Sequence, residues 1–367
     1  MPRKKSEPQN HEKLSIEEII EETRKEMGED IVKLYSDRFK GISRTTSGIT
    51  ALDLILGGGW PDGRIIEIYG PESSGKTTIA LHAIAAAQKE GKTCAYIDAE
   101  HAYDPVYAGQ VGVDTDHLLF AEPLGGEKAL QLIDVLVRTG SVDLIVIDSV
   151  AALVPQKELD GDFGDANVGL HARLMSQAMR KLTGPAKAMN CTLIFINQIR
   201  EKVGVMFGSP ETTTGGRALK FYSSIRLDVR KREALKDGNE VYANRTRVKT
   251  VKNKTFPPMK VAEFDIEFGK GVDNVGSVVD LAVGFGLMAK GGGGYYTYKE
   301  HRVRGRSAMI DFLKSDEGKV IFSELEQDVK HLVSQNSAEI MSLSAEEMEA
   351  TKKALNEEES VDDSISK

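Results

Sequence analysis

Only two cysteines, Cys94 and Cys191, occur in 367 residues, each alone in an apolar stretch. Neither has metal-ligand spacing, so both read as small buried hydrophobes in a reducing compartment. No apolar run approaches the ~18–20 residues that span a bilayer. The segment Met1–Lys13 is polar and mixed in charge, without the apolar stretch of a secretory signal. The expectation is a soluble, cytoplasmic chain with no membrane partner. No internal repeat is present. Positive charge is also in deficit, the formal net charge being −8, which argues against a nucleic-acid partner until its distribution is considered. Between Glu346 and Asp363 stand eight acids and two lysines, whereas between Ile199 and Lys254 stand fourteen Lys/Arg and six Asp/Glu. A basic segment matters more than the total, because phosphate contacts are local. A solvated, charged surface explains the same segment equally well.

What is present is a regular alternation. Ser15 and Glu18 form a capping box ahead of Ile16, Ile19 and Ile20, which predicts a helix to about Glu26, ended by Gly28. A helix of that length is marginal alone and needs a surface to pack on. Apolar strands are predicted at Ile65–Tyr69, Thr93–Asp98, Leu144–Asp148 and Leu193–Ile196. Helical stretches stand between them at Thr77–Lys89, Gly126–Arg138 and Leu170–Met189. That order means an α/β fold with a mostly parallel, twisted sheet covered by helices on both faces. After Gly216 the strands Ile225–Arg230, Val241–Val251 and Val261–Phe268 follow without helices, so the sheet is expected to continue in antiparallel form. From Val275 onward, helix-like segments at Ala308–Phe312 and Val320–Leu332 suggest a small α+β C-terminal domain. Residues after about Ser334 are polar and acidic and read as disordered.

Gly70-Pro71-Glu72-Ser73-Ser74-Gly75-Lys76-Thr77 matches the P-loop pattern, between a strand and a helix as the motif requires. Gly70 and Gly75 let the backbone turn its N–H groups onto phosphate oxygens, and the helix N-terminus adds partial positive charge. Lys76 reaches the β- and γ-phosphates of ATP, and Thr77 offers a hydroxyl to Mg²⁺. Asp148, at the end of an apolar strand, is the expected second metal-side residue. Glu100, after the strand that ends at Asp98, is the candidate base for activating water, although acids at strand ends are also common caps. Gln198 can donate to a γ-phosphate or is simply a surface glutamine.

Taken together, the segments Gly70–Thr78, Tyr96–Ala102, Asp148–Leu153, Asn197–Arg200, Gly204–Gly208 and Pro210–Gly216 resemble the RecA family of P-loop ATPases, over roughly Ser15 to Leu332. The resemblance implies that Glu100 is the general base, Asp148 serves the metal, and Gln198 senses the γ-phosphate and signals to the loop that follows. It places Thr78 in the phosphate loop and Asp104 and Tyr107 on the adenine side. Lys252 and Lys254 would reach a neighbouring subunit's ATP. Two loops would meet DNA. The first, about Gly161 to Val168, is followed by Arg173 and Arg180; the second, Ile199–Thr213, carries Arg200, Lys202, Val203 and Phe207, with Arg217 and Lys220 beyond it. Cations and apolar side chains there suit phosphates and unstacked bases, largely without sequence preference.

The implied partners are single-stranded DNA, duplex DNA, further copies of the chain in a helical filament, and repressor proteins whose self-cleavage it promotes. The implied organisation is an N-terminal helix and polymerisation segment (1–40), an ATPase core with the DNA loops (41–273), a small C-terminal domain (274–334) and an acidic tail (335–367). Three departures stand out. Phe268 occupies a position where the family usually has a tyrosine. Asp280–Lys290 holds one lysine where several are usual, with Lys299, Arg302, Arg304 and Arg306 as substitutes for capturing duplex. Ile31–Arg38 matches poorly. A hexameric motor with a related core and a scaffold filament are the competing readings.

Overall fold

The structure is a computed structural model, and it describes residues 14–27, 42–162, 169–201 and 211–342. Lys202, Val203, Phe207, the segment 163–168 and the end of the acidic tail therefore lie outside the described residues, as does Ile31–Arg38. The helix Ile16–Met27 belongs to one compact unit, Met1–Ser43, and the remainder to another, Arg44–Lys367. Its capping box forms as the sequence requires. Ser15 N donates to Glu18 Oε2 at 2.8 Å and Glu18 N donates to Ser15 Oγ at 3.3 Å.

In the second unit, β1 (Arg44–Thr45) and β2 (Trp60–Pro61) form a short antiparallel pair. The remaining strands to residue 272 are β3 (Ile65–Gly70), β4 (Cys94–Asp98), β5 (Leu119–Ala121), β6 (Leu144–Asp148), β7 (Thr192–Glu201), β8 (Glu211–Thr213), β9 (Ile225–Asp237), β10 (Glu240–Asn253), β11 (Val261–Glu267) and β12 (Gly271–Val272). They make one ten-stranded sheet in the order β12-β11-β10-β9-β3-β7-β6-β4-β5, with β8 on β7. All pairs from β3 to β5 are parallel, and β9 to β12 pair antiparallel with one another. One boundary differs from expectation. β9 joins β3 in parallel, Ile66 opposite Ile225, so the antiparallel part begins only at the β9–β10 hairpin.

Period-2 alternation explains the two core layers. Ile66, Ile68, Tyr96, Val146, Ile194 and Ile196 face the helix Lys76–Lys89, whose alanines let it sit close to the sheet. Ile65, Ala95, Ile97, Ile145, Ile147, Leu193 and Phe195 face the helices Gly126–Arg138 and Leu170–Ala188. The small C-terminal part has its own core, including Val278, Val279, Met309, Leu325 and Val329. It contains a three-stranded sheet that the glycine run Gly291–Gly294 had hidden: β13 (Ala289–Gly291), β14 (Tyr295–Tyr298) and β15 (His301–Arg304). The helix Gly318–Ser342 runs past Ser334, where the polar sequence had suggested disorder. Once Leu325 and Val329 are docked, each further helical residue costs little, and no glycine or proline stops the run.

Candidate nucleotide site and its link to the following ribbon

Parallel register aligns the strand ends that carry the chemistry. Gly70 lies opposite Gln198, and Asp98 opposite Asp148, at the C-terminal edge of the sheet. The chain between Gly70 and Lys76 tolerates few side chains. A Cβ at Gly70 would stand 2.1 Å from the Val229 carbonyl oxygen, and one at Gly75, where φ is +97°, would stand 2.4 Å from Ile266 Cδ1. Lys76 folds back over the loop and donates from Nζ to the Pro71 carbonyl at 2.6 Å. Burial lowers its ammonium below the ordinary lysine value, against the pull of the charges on Asp148, Glu100 and Glu72.

Thr77 Oγ1 donates to Asp148 Oδ2 at 2.7 Å, and the Tyr96 hydroxyl donates to the same oxygen at 2.8 Å. Burial raises the Asp148 carboxyl above the usual range, and these two hydrogen bonds oppose it. A hydroxyl and a carboxylate beside a phosphate cradle are the hard oxygen donors that Mg²⁺ takes, completing its shell with phosphates and water. The residues present therefore fit that ion.

Glu100 is placed by the turn that follows β4. Asp98 Oδ1 accepts from Glu100 N at 3.1 Å, Asp98 Oδ2 accepts from Tyr103 N at 2.9 Å, and the Asp148 carbonyl accepts from Ala99 N at 2.7 Å. The Glu100 carboxylate accepts from Ser149 Oγ and, at 2.8 Å on the same oxygen, from Gln198 Nε2. The candidate base and the candidate phosphate sensor are thus in direct contact.

Gln198 also roots the candidate DNA loop, Ile199–Thr213. β7 continues past it and pairs with β8, Ile199 opposite Thr213 and Arg200 opposite Thr212, so residues 202–210 connect the two arms of a ribbon. Arg230 fastens the far arm by a two-point bond to Glu211 at 2.8 and 2.5 Å. Below the ribbon, buried Asn197 donates to Glu67 Oε1 at 2.9 Å and to the Thr214 carbonyl at 3.0 Å, and accepts from Gln198 N at 2.9 Å. Glu67 is itself buried and ion-paired with Arg226 at 2.5 Å.

The remaining candidates are placed as follows. Tyr107 lines the cavity over the phosphate loop, about 340 Å³, and bonds Thr78 Oγ1 at 2.8 Å. Asp104 spends its carboxylate capping the helix Pro105–Val111 and is not among the lining residues. Lys252 donates to the carbonyls of Lys220 and Phe221 at 2.8 and 2.9 Å, closing the C-terminal end of the helix Ala218–Tyr222. Arg173, Arg180, Arg200, Arg217 and Lys220 are exposed, with Arg180 held by Ser176 Oγ at 3.0 Å and Arg200 by Thr214 Oγ1 at 3.4 Å.

Five lining residues went unread in the sequence: Asn244, Thr246, Ile266, Glu267 and Gly269. They come from β10, β11 and the turn after β11, far along the chain from the phosphate loop, and no local motif marks them. Among the described residues, Asn244 Oδ1 and Ser74 Oγ are buried without a partner. Buried polar atoms of that kind call for a ligand or water.

The family description that matches residues 14–273 is the RecA N-terminal domain. Proteins named Protein RecA are similar to the chain along most of its length. One from Cutibacterium acnes is 58% identical over 287 residues, 78% of this chain and 82% of that protein. One from Chloroherpeton thalassium is 53% identical over 314 residues, 85% and 87% of the two chains. One from Clostridioides difficile is 53% identical over 311 residues, 84% and 89%.

Proposed function

The chain belongs to the RecA family, and on that premise we propose that it is a DNA-dependent ATPase of homologous recombination and DNA repair. It would assemble on single-stranded DNA with further copies of itself and pair that strand with a homologous duplex. The observation that carries this reading is the Gln198–Glu100 hydrogen bond, 2.8 Å long, at the root of the ribbon that begins at Ile199.

Lys76, the backbone from Ser73 to Thr78 and Ser74 Oγ hold the phosphates of ATP, while Tyr107, Asn244 and Phe268 bound the end that takes the base. Thr77 and Asp148 would hold Mg²⁺, which would supply neutralisation of phosphate charge. Glu100 takes the proton of the attacking water. A γ-phosphate that draws Gln198 Nε2 toward itself frees one donor from Glu100 and pulls on Ile199, the first residue of the ribbon. Nucleotide state and loop position are then two ends of one strand. Lys252 and Lys254 stabilise charge in a neighbouring subunit's site, which requires Lys252 to leave its two carbonyls. Arg173, Arg180, Arg200, Lys202, Arg217 and Lys220 bind phosphates, and Val203 and Phe207 separate bases. Promotion of repressor self-cleavage rests on family membership alone.

The test is ATP hydrolysis with and without single-stranded DNA of mixed sequence, with Lys76→Ala as control. Strong stimulation by DNA, lost in the variant, is expected. Hydrolysis indifferent to DNA contradicts the link through Gln198.

A further inference from the structure

We propose that Tyr96 is a positioning residue for the metal-side carboxylate, a role carried by its hydroxyl and not by its ring. Tyr96 stands on β4 two residues before Asp98, on the face that β4 shares with Asp148 of β6. Its hydroxyl meets Asp148 Oδ2 at 2.8 Å, in a place where Tyr96 is 1% and Asp148 7% exposed.

Oδ2 has two donors, Thr77 and Tyr96. Thr77 is exposed at the mouth of the phosphate loop and is the residue whose oxygen a cation would share. Tyr96 approaches from inside the sheet and has no such second duty. Its ring packs on one side against Tyr103, at a centroid distance of 4.9 Å, and Phe120, at 6.3 Å with planes 16° apart, two rings that also touch each other at 4.8 Å. Tyr96 is anchored on a strand paired along both edges, so burial and the β4 backbone hold the ring in place even without Tyr103, and the hydroxyl sets the direction of the carboxylate. With Oδ2 pinned, the second oxygen has one orientation. A buried tyrosine needs a hydrogen-bond partner in any case. Here the partner is an ionisable group of the site, when a backbone carbonyl would have satisfied the tyrosine equally well.

The inference rests on the Mg²⁺–nucleotide reading of the site. Its test is binding, not turnover: a fluorescent ADP titrated with Mg²⁺, and separately in EDTA, on the full chain and on Tyr96→Phe. The variant keeps the ring and its packing. The expected result is a half-saturating Mg²⁺ concentration about ten-fold higher, the size of one hydrogen bond to a charged group, with ADP affinity in EDTA unchanged. Tyr103→Leu, which removes that ring contact but keeps the hydroxyl of Tyr96, should lower the melting temperature and leave the Mg²⁺ requirement alone. An unchanged or lower Mg²⁺ requirement in Tyr96→Phe overturns the proposal, as does an equal shift in Tyr103→Leu. Nucleotide binding by the unaltered chain that ignores Mg²⁺ would defeat the reading of the site itself, a result distinguishable from failure of Tyr96 alone.

Discussion

The strand-end row of the large sheet and the small C-terminal sheet are both rich in charge, but they use it differently. Along the row, Lys76, Glu100, Asp148 and Gln198 come from β3, β4, β6 and β7 or from the segments directly after them and converge, and the cavity beside them keeps two buried polar atoms without partners among the described residues. In the C-terminal sheet and its flanks the cations are largely spent on their neighbours. Arg306 holds Asp280 at 2.7 and 2.8 Å and Lys299 holds Glu324 at 2.7 Å. Arg302 lies 4.2 Å from the centre of the Tyr295 ring. Of the four cations suggested for duplex capture, Lys299 and Arg306 are thus neutralised by acids, whereas Arg302, though stacked on a ring, and Arg304 have no ion pair among the described residues. The count of basic residues in a segment is therefore no measure of a nucleic-acid surface. The same holds between Ile199 and Lys254, where Arg226, Arg230, Arg232 and Arg245 are all paired with acids.

Changes in the row should act on chemistry and changes in the small sheet on weak, salt-sensitive binding. Glu100→Gln should lower hydrolysis by about 10³-fold while nucleotide still binds, measured by steady-state turnover beside equilibrium binding. Glu67→Ala leaves the Arg226 guanidinium buried and unpaired. It should cost about 3–5 kcal/mol in chemical denaturation and weaken the coupling of DNA to hydrolysis, since Asn197 loses its anchor.

One residue ties the two regions together. His82 Nε2 accepts from Val272 N at 2.9 Å, between the cavity wall at Glu267–Gly269 and the first C-terminal helix, Asn274–Gly284. Burial pushes its pKa down to about 4. The unfolded chain takes up that proton near pH 6.5, so this stabilisation is complete above about pH 6.5 and is lost as pH falls toward 4, on the order of a few kcal/mol. His82→Gln, which can keep an acceptor for Val272, should flatten melting temperature against pH across that window. Smaller still, Arg302→Ala with Arg304→Ala should reduce the salt slope of duplex binding by about one to two. Arg306→Ala should leave that slope unchanged and cost about 1 kcal/mol or less of stability. Equal effects of all three arginines on duplex binding would erase the distinction between the two regions.

How much of this was legible in the sequence depends on range. Leu144–Asp148 and Gly126–Arg138 are found where alternation and helical periodicity put them, because each signal lies within one element. The phosphate loop was equally local, its residues being consecutive. The cavity wall was not. Asn244 and Thr246 reach the site through the order β11-β10-β9-β3, and strand order is set by packing between distant segments. Tyr96 reads as one more core aromatic until β4 and β6 are placed side by side. Gln198 stood between two readings, and only the register of β7 against β3, with the Asp98 turn presenting Glu100, brings it onto the carboxylate.

The central claim is that Gln198 joins the nucleotide to the DNA loop. The most direct measurement is single-stranded DNA affinity with and without a non-hydrolysable ATP analogue, in the unaltered chain and in Gln198→Ala. The account predicts that the analogue tightens DNA binding in the first and not in the second, while the variant binds the analogue and the DNA separately as well as before. Full tightening in Gln198→Ala would contradict it.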